Sequence, residues 1–260
     1  NIVVRSVSSS TSTVIDGDRS GSVVTFNSGE NSSAVLSGFT LTNGKNSSGG
    51  GIYCSGSSPS LENLLIIGNS AWEGGSGGGG IYCYGSSPTI TNVTITGNSD
   101  PNTQGIAIAC WGNSSPTLVN CIVWGNSPPE QNPIYLLGST ISISYSNIQG
   151  GMPEYYTDYW TGTGNIDEDP LFVSTGDWSG QINTIDALWI MGDGDYRLSD
   201  YSPAIGVGTT TGAPITDING NPRPNPAGSN PDIGAYENAR AMPAEYIAIS
   251  NDLLIVLEDS

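Results

Sequence analysis

The sequence predicts an all-β chain: a parallel β-helix, or solenoid, followed by an irregular acidic cap. Three observations carry this reading. A block of 28 or 29 residues recurs in register through the first half. Inside each block the apolar residues alternate with period two, the signature of a strand with one buried face. From residue 151 the repeat stops and the acidic residues gather.

The elements follow in chain order. Ile2-Val3-Val4 opens as a strand, and Leu36 to Gly44 is a weak first copy of the block. Stronger copies run over 58–70, 87–99 and 115–127, where Pro59, Pro88 and Pro116 lie 29 and 28 residues apart. Tyr145 to Gly150 is a last, partial copy. Between them Gly49-Gly50-Gly51-Ile52-Tyr53-Cys54 returns unchanged at 78–83 and worn at 106–110. A unit this short cannot bury its own apolar face, whereas stacked copies can, with successive coils about 4.8 Å apart.

Each recurring feature has a place in such a stack. The glycines mark a corner of unusual φ, which glycine adopts at little cost. Ile52, Ile81 and Ile108 face inward, and so do Cys54, Cys83 and Cys110; Cys121 joins them from the position of Leu64 and Val93. The cysteines read as small core-filling hydrophobes, with a disulfide between adjacent coils as the alternative. Metal binding is disfavoured, because there is no Cys-x-x-Cys and no histidine. Asn63, Asn92 and Asn120, and separately Asn69, Asn98 and Asn126, form two columns whose amides can bond along the stack.

With the cysteines inside, their neighbours face out. Tyr53 and Tyr82 form one outward column, continued by Ala109, and Ser55, Tyr84 and Trp111 form a second. This strip is either ordinary cross-rung aromatic packing or a platform for sugar rings. Ile67, Thr96 and Trp124 share a further outward column.

Charge narrows the function classes. Six basic against 24 acidic residues leave a net charge of −18, which disfavours nucleic acid and anionic membranes as partners. No apolar run is long enough to span a bilayer. Few lysines and many Gly, Ser, Thr, Asn and Tyr residues suit an extracellular protein, and Asn1 reads as a mature or trimmed start.

The charge is uneven. Residues 1–150 hold 7 acids and 3 bases, and the remainder holds 17 acids and 3 bases. The boundaries drawn are therefore 1–150 for the coils, 151–240 for the cap and 241–260 for a tail. The cap would cover the strand edges and core at the end of the solenoid. Its Asp169, Asp195, Asp217 and Asp232 would bond turn amides or pair with Arg197 and Arg223. Alternatively Asp217-x-Asn219-x-Asn221 would offer oxygen ligands to Ca²⁺, although the downstream glutamate of an EF-hand is missing. No cofactor is required.

Five cap motifs follow one another: Asn165 to Phe172, Asp195 to Leu198, Ser202 to Gly206, Asp217 to Pro224 and Asp232 to Glu237. With the coil motifs before them, they resemble the bacterial secreted right-handed β-helix proteins that end in a choice-of-anchor module. The resemblance covers roughly residues 1–238. It implies a right-handed coil, export, and display on or release from the cell surface; it implies no catalytic activity. Gly206 stands where that family often has Asp, so a role for that carboxylate does not carry over.

The tail holds two very apolar strands, with Ile247 and Ile249 in one and Leu253, Ile255 and Leu257 in the other. They begin a further domain, pack on the cap, or add to another subunit's sheet. Together with Ile2 and Val4 at the first coil, they point to head-to-tail self-association and open filaments.

An enzyme is the least favoured class. Polysaccharide lyases of this shape need a Lys or Arg base beside calcium-binding acids, and hydrolases need paired carboxylates. Here Arg5, Arg19 and Lys45 do not stack with the acids, and the turn residues Asp167, Glu168 and Asp169 are the remaining candidates. The expectation is a non-catalytic structural or adhesive surface protein. Glycan binding by Tyr53, Tyr82, Tyr84 and Trp111 is the alternative.

Overall fold

A computed structural model describes residues 2–7, 13–72, 74–101, 105–129, 132–151, 153, 158–179, 188–190, 194–249 and 253–256. The chain winds through about five turns of a parallel β-helix. The first turn carries β1 (Val3–Arg5), β2 (Val14–Asp16) and β3 (Val24–Phe26). The second carries β4 (Val35–Ser37), β5 (Thr40–Thr42), β6 (Lys45–Asn46) and β7 (Ile52–Ser55). The third carries β8 (Ser60–Glu62), β9 (Leu65–Ile67), β10 (Ser70–Ala71) and β11 (Ile81–Tyr84). The fourth has β12 (Thr89–Thr91), β13 (Thr94–Thr96) and β14 (Ile108–Trp111). The fifth has β15 (Thr117–Val119), β16 (Ile122–Trp124) and β17 (Ile134–Leu137). β18 (Ile141–Ser144), β19 (Asn147–Ile148) and β20 (Trp160–Thr161) begin a further turn.

These strands stack into three walls. Sheet A runs β1-β4-β8-β12-β15-β18-β20, sheet B β2-β5-β9-β13-β16-β19 and sheet C β3-β7-β11-β14-β17. Like residues sit on like. Ile81 lies between Ile52 and Ile108, and Cys83 between Cys54 and Cys110. Leu36, Leu61, Ile90, Leu118 and Ile143 line the core from sheet A. Leu41, Ile66, Ile95, Val123 and Ile148 line it from sheet B. The four cysteines are free and buried, as the core reading requires. Contact with Cys83, and then burial, holds the Cys54 thiol well above its ordinary value, and burial pushes Cys121 up to about 12. Cys54 and Cys121 therefore stay protonated.

The glycine corner has two causes. Gly78, the first of its triplet, has φ of 73°, open to glycine without strain. Gly80, the third, faces the next rung so closely that a Cβ would lie 2.7 Å from the Ala107 carbonyl oxygen. Close approach of the rungs, as well as backbone conformation, therefore demands glycine.

The second part of the chain departs from expectation. The coil continues past residue 150, because β20 pairs with β18 and Ile166 bridges Asn147. Described residues from the later chain, among them Tyr196, Leu198, Ile205, Thr216, Ile218, Ile233 and Tyr236, then pack along the flank of the stack, over sheet B and the corner between sheets A and B, a place that their reading as an end cap did not include. The reason is a lateral apolar stripe. Leu65, Ile67 and Ile122 face outward from sheet B yet are buried. They pack against Tyr196, Ile218 and Tyr236, and against Leu198, Ile205 and Ile233. Two short antiparallel pairs complete this part: β21 (Phe172–Ser174) with β24 (Asp195–Leu198), and β22 (Asp177–Ser179) with β23 (Leu188–Ile190). The tail forms a hairpin of β25 (Tyr246–Ile249) and β26 (Leu253–Val256).

Candidate functional site

The two asparagine columns do different things. Asn69, Asn98 and Asn126 lie inside the coil as a ladder: Asn69 Nδ2 donates to Asn98 Oδ1 at 3.0 Å, and Asn98 Nδ2 to Asn126 Oδ1 at 3.0 Å. Each oxygen also accepts the backbone N–H of the asparagine one rung earlier, at 3.1 and 3.0 Å. Asn63, Asn92 and Asn120 occupy the corner between sheets A and B with φ of 48°, 53° and 53°. Asparagine tolerates that conformation better than most residues. There the side chains turn outward and hold the flanking segment. Asn63 Nδ2 donates to the Thr216 carbonyl at 2.8 Å, Asn92 Nδ2 to that of Gly234 at 3.2 Å and Asn120 Nδ2 to that of Thr209 at 2.8 Å.

The segment is locked beneath this rail by a buried ion pair. Arg223 Nε lies 2.9 Å from Glu237 Oε2, and neither side chain is exposed. The guanidinium also donates to the Gly234 and Ala235 carbonyls, each at 3.1 Å. These bonds offset the desolvation of two charges. Burial still lowers the Arg223 pKa and raises that of Glu237. Asp232 is pushed up to about 7, by burial first and then by the charge of Glu237. Its oxygens accept from Gly206 N at 2.8 Å and Asn238 N at 2.6 Å.

The calcium candidates sit in the same brace. Asp217 Oδ1 accepts the backbone N–H groups of Asn219 and Asn221 at 2.9 and 2.8 Å. Its Oδ2 accepts Asn221 Nδ2 at 3.1 Å and Glu237 N at 3.2 Å. Both oxygens are thus turned toward N–H donors, the turn-organising alternative of the sequence reading. Asp195 is likewise engaged, its carboxyl held below the usual range by its bond to Arg197. Asp169 caps the N–H of Leu171, and Asp167 accepts from Gly150 N, each at 2.9 Å.

The aromatic strip is placed as expected on the outer face of sheet C, but it is not flat. Tyr53 and Tyr82 stack with ring centroids 5.6 Å apart and planes 13° from parallel. Tyr82 is nevertheless buried, which corrects its reading as an exposed contact. The cause is the loop after β10, where the Ser76 carbonyl accepts Trp111 Nε1 at 3.1 Å beside the Tyr82 ring. Burial raises the Tyr82 pKa accordingly. Tyr84 remains exposed at 53%, and Trp111 is half-buried. Tyr135 was missed: it follows Ala109 in register and packs against Trp111 at 5.9 Å. The alternation in Ile134-Tyr135-Leu136 was the available signal.

The assembly candidates lie at two places. Ile2 and Val4 are exposed on and beside β1, and β1, β2 and β3 are each the outermost strand of their sheet. A cleft of about 450 Å³ opens there, lined by Ile2, Val4, Val24, Phe26 and Leu36. In the tail hairpin Ile247 pairs with Ile255 and Ile249 with Leu253; Leu257 lies outside the described residues. Among the described residues, no helix is long and apolar enough to cross a membrane.

Comparison with known proteins gives one match. Residues 22–155, just over half of the chain, fit the family model described as the right handed beta helix region. No curated protein and no solved structure matches the chain.

Proposed function

We propose that this chain, which belongs to the right-handed β-helix family, is a non-catalytic structural or adhesive protein of the extracellular surface that associates head to tail. The observation that supports this best is the use of its polar residues. Asp169, Asp195, Asp217, Asp232 and Glu237 bind turn amides or arginines and brace the flank of the coil. Carboxylates committed in this way to turn amides and arginines stiffen the coil. The exposed edges of β1, β2 and β3 and the apolar cleft between them suit strand addition by the β25–β26 hairpin of a second copy. A heterologous contact of that kind repeats without closing. Low lysine content and the resemblance to exported β-helix proteins support the surface location.

Electron microscopy and light scattering of the purified chain across concentration test the reading. Linear oligomers that vanish when residues 241–260 are removed are expected. A clean monomer at every concentration removes the assembly, and release of reducing ends or unsaturated products from a polysaccharide removes the non-catalytic role.

A further inference from the structure

The corner asparagines are equivalent by register, yet one of them is left incomplete. Asn120 Oδ1 accepts Thr209 N at 2.8 Å, and Asn92 Oδ1 accepts Asn120 Nδ2 at 3.4 Å. Asn63 is 4% exposed, and its Oδ1 accepts no hydrogen bond among the described residues. A buried polar atom without a partner costs about 1–3 kcal/mol, so this oxygen calls for a donor from outside the chain, a water or a ligand hydroxyl.

Asn63 lines a cavity of about 470 Å³ between the corner of the first turns and the loop at 214–220. That volume falls within the usual range for small-molecule sites, roughly 300–1,000 Å³. Arg5 and Glu62 line it as well, with Arg5 Nη1 3.1 Å from Glu62 Oε2, a pairing that corrects the expectation that Arg5 stands apart from the acids of the coil. Val7 and Ile215 add apolar surface and are themselves strongly exposed.

The chemistry narrows the ligand. Asn63 Oδ1 asks for a donor, and the Arg5 guanidinium beside it offers one. A cation is disfavoured because Glu62 is already paired with Arg5 and the oxygens of Asp217 are filled by N–H groups. An anion would meet Glu62 and the unpaired carbonyl. A hydroxyl both donates and accepts, and the C–H face of a sugar ring suits Val7 and Ile215. We propose that this cavity binds a neutral saccharide unit, held by Asn63, Arg5 and Glu62. The site is separate from the aromatic wall of sheet C and does not depend on self-association.

Saturation-transfer NMR and calorimetry on the full chain test this, with glucose, galactose, mannose, cellobiose and lactose as probes at millimolar concentration. At least one probe is expected to bind. Arg5→Gln, a surface change that leaves the coil intact, weakens that binding roughly tenfold, and Asn63→Gly does the same while keeping the positive φ. Tyr84→Ala leaves it unchanged. The site is disproved if no probe binds, if either pocket variant retains full affinity while folded by circular dichroism, or if Tyr84→Ala abolishes binding.

Discussion

Asn98 shows what one side chain does here. It accepts from the backbone and side chain of Asn69, and donates to the Ile66 and Thr96 carbonyls at 2.9 and 3.0 Å. Asn98→Ala leaves those groups buried and unpaired. A loss of about 3 kcal/mol is expected in chemical denaturation, several times that of an exposed Asn→Ala change. This ladder was legible in the sequence because equal spacing puts equal residues on one vertical line. The second column was legible as a column but not in its role. Asn63, Asn92 and Asn120 bond to residues far along the chain, and no local pattern states which partner a corner amide meets.

Among the elements, β9 is the most informative. Leu64-Leu65-Ile66-Ile67 is apolar without alternation, as befits a strand buried on both faces. That run was the available signal for a flanking segment, and it was masked by the clean period-two pattern of β13, Thr94-Ile95-Thr96. The two faces separate in experiment. Ile67→Asp places a charge between coil and brace, so limited proteolysis is expected to digest residues 168–240 while a coil fragment survives. Ile95→Asp places it in the shaft, and both parts are expected to be digested. The aromatic wall divides in the same way. Register fixed which residues share a column, but the loop covering Tyr82 is irregular and writes no period.

For the molecule as a whole, the brace makes stability depend on pH in an unusual direction. Folded Asp232 titrates at about 7, held up by burial and by Glu237, with Arg223 as the opposing charge. An unfolded aspartate titrates near 4, so between those values the native state holds a proton that the unfolded chain has released. The contribution of Asp232 is therefore full below about pH 4 and is lost as pH rises through about 7. Thermal melts are expected at higher temperature near pH 5 than near pH 8. Mutual repulsion within a chain of net charge −18 has the same sign, so Asp232→Asn isolates the effect: its melting temperature should change less over that range.

The rail has a consequence for how the chain is made. Asn63 and the Thr216 carbonyl it holds are 153 positions apart, so the corner emerges from the ribosome long before its partner. In the interval Leu65, Ile67 and Ile122 face water as an apolar seam on an otherwise finished column. A chain cut short before residue 194 would keep that seam permanently, and stalled or truncated products should be the sticky ones.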